Sequence, residues 1–332
     1  MNNGKILILN SAEVRALLQG KERELMDTVR LTYETHHSGK SSLPHSSFLT
    51  FPDNNTDRII ALPAYLGGDF KVAGIKWISS FPMNHKQGID RASAVVILNS
   101  AITGRPEAIV EGSIISAKRT AASAALAASR LQKDATSVSL IGCGVINFEI
   151  VRFLLAALTD LKRLVIFDID KNRAHQFKRR CRDLSAEVEI TEVNQATDAL
   201  AASPLISFAT TAVKPHIFDL SSCLPGSTIL HISLRDLSPE VILSCDNLTD
   251  DIDHVCRAQT SLHLTEQLTG HRDFIRCTLA DVLLGTSPAR KDGEIAVFSP
   301  FGLGVLDIAV CQLVCNLARK ENKGTIIPFL PN

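Results

Sequence analysis

The sequence predicts an α/β protein in two parts: a smaller α+β domain and a larger domain built on a doubly wound, parallel sheet. Three observations carry this. From Ser137 onward, short apolar runs of strand type alternate with amphipathic helical stretches, the texture of parallel strands joined by crossover helices. Residues 47–99 hold strand-type runs separated by Pro, Asn, Asp and Gly, with no helical stretch between them. One strand also passes directly into Gly142-Cys143-Gly144 and then into a helix. With 332 residues, 45% hydrophobic and 21% charged, the chain can bury two cores.

Taken in order, residues 11–38 read as one helix, with Ser11 as N-cap and Glu13 close to its positive end. Ser38-Gly39-Lys40-Ser41-Ser42 and Pro44 end it. Strands follow over 47–51, 58–63, 72–79 and 93–99, divided by Pro52-Asp53-Asn54-Asn55, Gly67-Gly68-Asp69 and Pro82-Met83-Asn84, as in a mostly antiparallel sheet. Residues 119–128 form a helix of small residues, suited to close packing. The larger domain then reads as strand 138–141, helix 147–158, strand 164–167, helix 171–184 and strand 187–190. Further strands fall near 205–208, 228–232 and 246–249. A last helix, 304–320, carries Leu306, Ala309, Val310, Leu313 and Val314 at helical spacing. The division expected is 1–118, completed by 302–332, for the smaller domain and 119–301 for the larger.

Composition narrows the function. Lys and Arg number 35 and so do Asp and Glu, so zero net charge argues against a nucleic-acid or anionic-membrane footprint. No apolar run is long enough to span a bilayer, and Ile6-Leu7-Ile8-Leu9 is too short for a signal peptide, so a cytoplasmic location is expected. The eight cysteines show neither C-x-x-C nor another metal-binding spacing, so no metal is expected. Cys311 and Cys315, one helical turn apart in an apolar run, read as reduced core thiols.

The stretch Val138-Ser139-Leu140-Ile141-Gly142-Cys143-Gly144-Val145-Ile146-Asn147 suits a dinucleotide. Gly142 permits the tight turn, and Gly144 lets backbone approach a pyrophosphate. The phosphates then meet the free N–H groups and positive dipole of the helix opening at Val145 and Ile146. Asn147 stands where the fingerprint has its third Gly or Ala. The second strand ends in Asp168, roughly 20 residues further on, where a carboxylate binds the adenosine ribose hydroxyls and repels a 2′-phosphate. NAD is therefore expected over NADP, in a Rossmann-type domain.

Further motifs widen the picture: Leu62-Pro63-Ala64-Tyr65, Gly74-Ile75-Lys76, Thr103-Gly104-Arg105-Pro106, Ile115-Ser116-Ala117-Lys118-Arg119-Thr120-Ala121-Ala122, and Ser299-Pro300-Phe301-Gly302 ahead of Asp307. On these residues the chain resembles the ornithine cyclodeaminase/mu-crystallin family over nearly its full length. Ser42-Leu43-Pro44-His45-Ser46-Ser47-Phe48, Asp90-Arg91-Ala92-Ser93-Ala94 and Ser233-Leu234-Arg235-Asp236-Leu237 look like its 2,3-diaminopropionate branch. The resemblance implies a homodimer of bidomain subunits. The first domain dimerises and holds substrate, the Rossmann domain holds NAD, and the reaction runs in the cleft between them. The branch reaction oxidises N-(2-amino-2-carboxyethyl)-L-glutamate with NAD to L-2,3-diaminopropionate, 2-oxoglutarate and NADH, for siderophore or peptide-antibiotic synthesis.

The resemblance also implies roles for residues. The substrate amine must be neutral before it can release hydride, so a base is needed, and Asp236 holds that place. Lys76 matches the family's substrate lysine, which holds a carboxylate or polarises the reacting centre. Arg119 clamps a carboxylate and borders the nicotinamide. A further family arginine falls at Ser46 here, and a substrate with three carboxylates then calls on Arg91 and Arg235, with Ser46, Ser47 and Ser93 as neutral donors. Thr210, Ser233, Leu234 and Phe301 complete the cofactor contacts. An alternative partner for Asp236 is Arg235 or Arg119, in a purely structural pair. Alternatives to the dehydrogenase are an ornithine cyclodeaminase, a lyase with catalytic NAD, and a non-enzymatic ligand-binding protein of mu-crystallin type. Alanine- or opine-type imine reduction is also compatible with this fold.

Overall fold

The computed structural model describes residues 4–330. They divide into two compact units, residues 1–119 with 303–332 and residues 120–302.

The first unit opens with β1 (Lys5–Leu9) and α1 (Ser11–Leu17). Ser11 is not the cap of α1. Asn10 is, accepting from the Ala12 and Glu13 backbone N–H groups while Glu13 accepts from the Asn10 N–H in a capping box. The single helix expected over 11–38 is two, because Gly20 turns the chain at φ +69° before α2 (Glu22–His37) begins. Next come β2 (Ser41–Ser42), β3 (Ser47–Phe51), β4 (Asn54–Leu66), β5 (Val72–Ser80), β6 (Ala92–Ser100) and β7 (Pro106–Glu111), then α3 (Ser113–Leu131), in which the unit boundary falls. Both carboxylate oxygens of Glu111 accept from the opening turn of α3, from Ser113 N at 2.6 Å and Ile114 N at 3.3 Å.

The second unit alternates strand and helix: β8 (Ser137–Ile141), α4 (Val145–Ala157), β9 (Arg163–Phe167), α5 (Lys171–Leu184), β10 (Glu189–Glu192), α6 (Ala196–Ala202) and β11 (Leu205–Phe208). It continues with β12 (Thr228–His231), α7 (Pro239–Leu243), β13 (Asp246–Thr249), α8 (Ile252–Val255), α9 (Ser261–Thr269), β14 (Ile275–Thr278), α10 (Leu279–Leu284) and β15 (Ala296–Ser299). The chain then returns to the first unit as α11 (Gly304–Lys320) and β16 (Thr325–Pro328).

In the first unit the strand order is β16-β1-β7-β6-β5-β4-β2, with β3 also on β4. Every pair is antiparallel except β1 with β7. Helix α11 packs on β4, β5 and β6. Gly74 is one reason it sits so close: a Cβ there would lie 2.3 Å from the Ile97 carbonyl and 3.2 Å from the Ile308 side chain. Cys311 and Cys315 are buried in α11.

In the second unit the order is β10-β9-β8-β11-β12-β15-β13-β14, parallel throughout. Its first five strands follow the Rossmann order, and the direction of winding reverses between β8 and β11, where open α/β sheets bind ligands. Sequence reading does not pick out β14 and β15 here, nor β1, β2, β7 and β16 in the first unit. Among the described residues, no helix is long and apolar enough to cross a membrane.

Candidate active site

Two groups of polar residues stand out, one in each unit. In the first unit, Lys76 points from β5 toward α3 and α11. Its side chain is only 2% exposed, and its Nζ donates to Ser116 Oγ at 3.2 Å. The same nitrogen lies 2.7 Å from Oδ2 of Asp307, in the first turn of α11, while Arg119 Nε donates to Asp307 Oδ1 at 3.0 Å. Burial pushes the Lys76 ammonium down to about 8; attraction to Asp307 opposes this and repulsion from Arg119 adds to it. Two cations thus meet one carboxylate in a setting shielded from water.

Arg58 and Arg91 lie further along the same unit. In the antiparallel register Lys76 faces Leu62 and Ser80 faces Arg58, so Arg58 stands on the same sheet face as Lys76. The separation of four residues amounts to roughly 13 Å. Neither arginine forms an ion pair among the described residues, and the buried Nε of Arg58 has no hydrogen-bond partner. Burial first, then the nearby Arg58 charge, lowers the Arg91 pKa. Ser46 is buried just ahead of β3, and Ser93 shares a hydrogen bond of 2.8 Å with Ser79.

In the second unit, β8 delivers the glycine turn. Gly142 has φ +93°, and a Cβ there would lie 2.5 Å from the Ala209 carbonyl, so no other residue fits. Gly144 differs, since a Cβ there meets open space. It is the N-cap of α4 without a side-chain cap, so no side chain occupies the N–H groups that open the helix at Val145 and Ile146. Asp168 accepts from Cys143 N at 2.8 Å and from Asp170 N at 2.9 Å, which holds its carboxylate against the turn. Asn147 is buried. It donates to the carbonyls of Ile141 at 3.1 Å and Gly142 at 2.7 Å and accepts from Ser207 at 2.7 Å. Where glycine would let helix and strand touch, asparagine ties them by hydrogen bonds.

Beyond the ends of β11 and β12, Thr210 and Ser233 each donate a hydroxyl to Asp236, at Oδ1 and Oδ2 respectively. His216 Nε2 lies 3.1 Å from Oδ1 and His231 Nε2 3.3 Å from Oδ2. Asp236 is fully buried. Burial pushes its carboxyl up, but the His231 contact and the Ser233 and Thr210 hydrogen bonds outweigh this and hold it below the ordinary carboxylate range. Two histidines thus flank the carboxylate, which the sequence reading did not foresee. Arg235 instead donates to the Ala258 carbonyl at 2.7 Å. Leu234, between these residues, is buried at φ +68°, a strained conformation for a branched side chain. Phe301 N and Gly302 N both donate to the Asp250 carboxylate, at 2.8 and 2.7 Å, which fixes the turn after β15.

Sequence reading missed three of these participants as partners: Asp307, His216 and His231. Asp307 lay inside a quoted motif, but its role depends on a lysine 231 positions earlier in the chain (307 − 76). His231 lies within a strand, and His216 follows a proline in a loop, with no pattern to mark either.

Comparison with known proteins places this geometry in context. The profile of the ornithine cyclodeaminase/mu-crystallin family matches residues 5–322. N-((2S)-2-amino-2-carboxyethyl)-L-glutamate dehydrogenase of Staphylococcus aureus is 27% identical over 333 residues, covering 98% of this chain and 99% of its own. Alanine dehydrogenase of Archaeoglobus fulgidus is 28% identical over 336 residues, covering 97% and 98%. The solved structure of an archaeal alanine dehydrogenase dimer with bound NAD superposes with TM-score 0.87 at 26% identity, covering 98% of this chain and 100% of that one.

Proposed function

The chain belongs to the ornithine cyclodeaminase/mu-crystallin family, and from that premise we propose that it is an NAD-dependent oxidoreductase acting on a C–N bond of an amino-acid substrate. The substrate is N-(2-amino-2-carboxyethyl)-L-glutamate, and the products are L-2,3-diaminopropionate, 2-oxoglutarate and NADH. The diaminopropionate feeds a siderophore or peptide antibiotic. The observation that carries this reading is the buried Lys76–Asp307–Arg119 cluster, in which one carboxylate faces two cations. Buried basic side chains of this kind suit a carboxylate ligand.

The residues present fit NAD. The open space at Gly144 and the uncapped opening of α4 receive a pyrophosphate, and Asp168 receives the adenosine ribose. When bound, NAD supplies the acceptor for the two electrons that leave the substrate carbon. Lys76 and Arg119 bind and orient a substrate carboxylate, and the cluster around Asp236 handles the proton of the substrate amine. Thr210, Ser233, Leu234 and Phe301 line the cofactor. Arg58 and Arg91, which lack acidic partners among the described residues, favour a substrate with further carboxylates, with Ser46 as a neutral donor and Arg235 as an added cation. The Staphylococcus aureus relative, whose name states this activity, supports the choice.

A second copy completes the protein as a homodimer, a reading supported by the dimeric archaeal structure. Trp77 and Leu49, both exposed and on the sheet face opposite Lys76, suit such an interface. The enzyme works in the cytoplasm.

The test is to incubate the purified protein with NAD and N-(2-amino-2-carboxyethyl)-L-glutamate, follow NADH absorbance and identify products by mass. NADH, diaminopropionate and 2-oxoglutarate in equal amounts are expected. Proline and ammonia from ornithine without net NADH would make it a cyclodeaminase instead. NADH from L-alanine alone would place it with the alanine dehydrogenases. Bound NAD with no turnover of any of these would leave a ligand-binding protein.

A further inference from the structure

Asp236 holds the family's place for proton transfer, yet its surroundings are those of a permanent anion. The carboxylate is fully buried, and Thr210, Ser233 and His216 occupy its oxygens, with His231 alongside. A carboxylate so heavily stabilised is a poor acceptor for a proton from an amine. His216 is placed differently. Its side chain is 45% exposed, and Nε2 meets Asp236 Oδ1 at 3.1 Å. An ionised carboxylate only accepts, so Nε2 carries the proton and Nδ1 keeps its lone pair. Among the described residues, Nδ1 has no hydrogen-bond partner.

The backbone locks this arrangement. His216 N and Ile217 N both donate to the Asp236 carbonyl at 2.9 Å, Ser238 N donates to the Ile217 carbonyl at 3.0 Å, and Ile217 pairs with Leu237 as an isolated parallel bridge. The histidine is thus docked on the main chain of the residue that orients its ring, an exposed imidazole backed by a buried carboxylate.

We propose that His216 is the proton acceptor of this protein, and that Asp236 is its positioning residue, fixing the tautomer and stabilising the imidazolium. Nδ1 takes one proton from the substrate's secondary ammonium. This leaves a neutral amine whose lone pair is available, and an imidazolium paired with the Asp236 carboxylate. The imidazolium then releases that proton to water through its exposed edge. This rests on the oxidoreductase reading above, so the experiment has one arm that needs no turnover.

In the first arm, NADH formation from N-(2-amino-2-carboxyethyl)-L-glutamate is compared for wild type and His216→Ala, with and without added imidazole. The expected result is a loss in kcat of about 100-fold or more, with unchanged NAD affinity. Imidazole entering the vacated, partly exposed space should recover about tenfold or more of that loss. A kcat within about threefold of wild type, or a loss that imidazole does not relieve, overturns the proposal. The second arm records ¹⁵N–¹H correlations of the histidine rings, with His216→Gln identifying the His216 signals. A proton on Nε2 in wild type and a changed tautomer ratio in Asp236→Asn are expected. A ring protonated on Nδ1 overturns the proposal. If wild type forms no NADH, the substrate reading fails, and the ring tautomer alone decides the proposal.

Discussion

Replacing Asp307 by Asn keeps the shape of the side chain and removes a negative charge that both Lys76 and Arg119 meet. In the wild type, Lys76 already titrates at about 8 rather than 10.5, burial being the main cause and Asp307 the main opposition. Without that opposition, burial and Arg119 push the lysine lower still. The unfolded chain keeps an ordinary lysine in both proteins, so its protonation cancels in the comparison. At pH 9 both folded proteins hold Lys76 mostly neutral. Below 8 the wild type takes up the proton and the variant does not, so each further pH unit widens the stability gap by about 1.4 kcal/mol. From pH 9 to pH 6.5 the penalty should therefore grow by about 2 kcal/mol. That growth comes on top of a pH-independent loss of about 2 kcal/mol from Arg119's charged acceptor. Trp77 is the only tryptophan and sits beside Lys76 on β5, so its fluorescence during urea unfolding reports this unit. A penalty equal at the two pH values within about 0.5 kcal/mol would refute the claim that Asp307 keeps Lys76 charged.

The two glycines of the turn should separate stability from binding. Gly142→Ala places a Cβ against the Ala209 carbonyl at positive φ and should destabilise the protein by about 2 kcal/mol or more in urea melts, whereas Gly144→Ala should melt like wild type and lose NAD affinity by calorimetry. Asp168→Ala should weaken NAD at least about tenfold, and because Cys143 N loses its acceptor it should also cost about 1 kcal/mol of stability. Asp236→Asn should cut turnover by about 100-fold or more while NAD affinity stays within about threefold, as separate kinetic and binding measurements would show; equal turnover would remove the residue from the mechanism.

Much of the second unit was legible because its signals are local. A parallel strand buried on both faces is a short apolar run, and the glycine turn joins strand to helix within ten residues, so β8, β9, α5, β11 and β13 could be read in sequence order. The errors in the first unit arose where the decisive partner is distant. β1 is a five-residue apolar run whose neighbours, β7 and β16, come from remote parts of the chain. The break between α1 and α2 hangs on the positive φ of Gly20, which a hydrophobic pattern does not encode. The same distinction holds in the candidate site. Gly142, Gly144 and Asp168 announce themselves by spacing, and Asn147 by departing from it. Lys76 and Arg119 came from family motifs, but the carboxylate that joins them did not, because burial of a charged triad is a property of packing. For Asp236 no local pattern points to the two histidines that flank its carboxylate in the fold.

The first unit is assembled from both ends of the chain, and this bears on the order of events during synthesis. β1 needs β16 as a neighbour, α11 covers the sheet, and Lys76 meets its carboxylate only when residue 307 has been made. The second unit, continuous in sequence, has all of its strands by residue 299. A nascent chain therefore carries a complete glycine turn while its sheet of residues 41–111 still lacks the covering helix and Lys76 lacks the Asp307 carboxylate. Desolvating the Lys76 ammonium without Asp307 is unfavourable, so the final burial of this lysine waits on the last helix. A product interrupted before residue 307 retains every strand of the second unit but lacks the carboxylate that Lys76 and Arg119 meet in the complete chain.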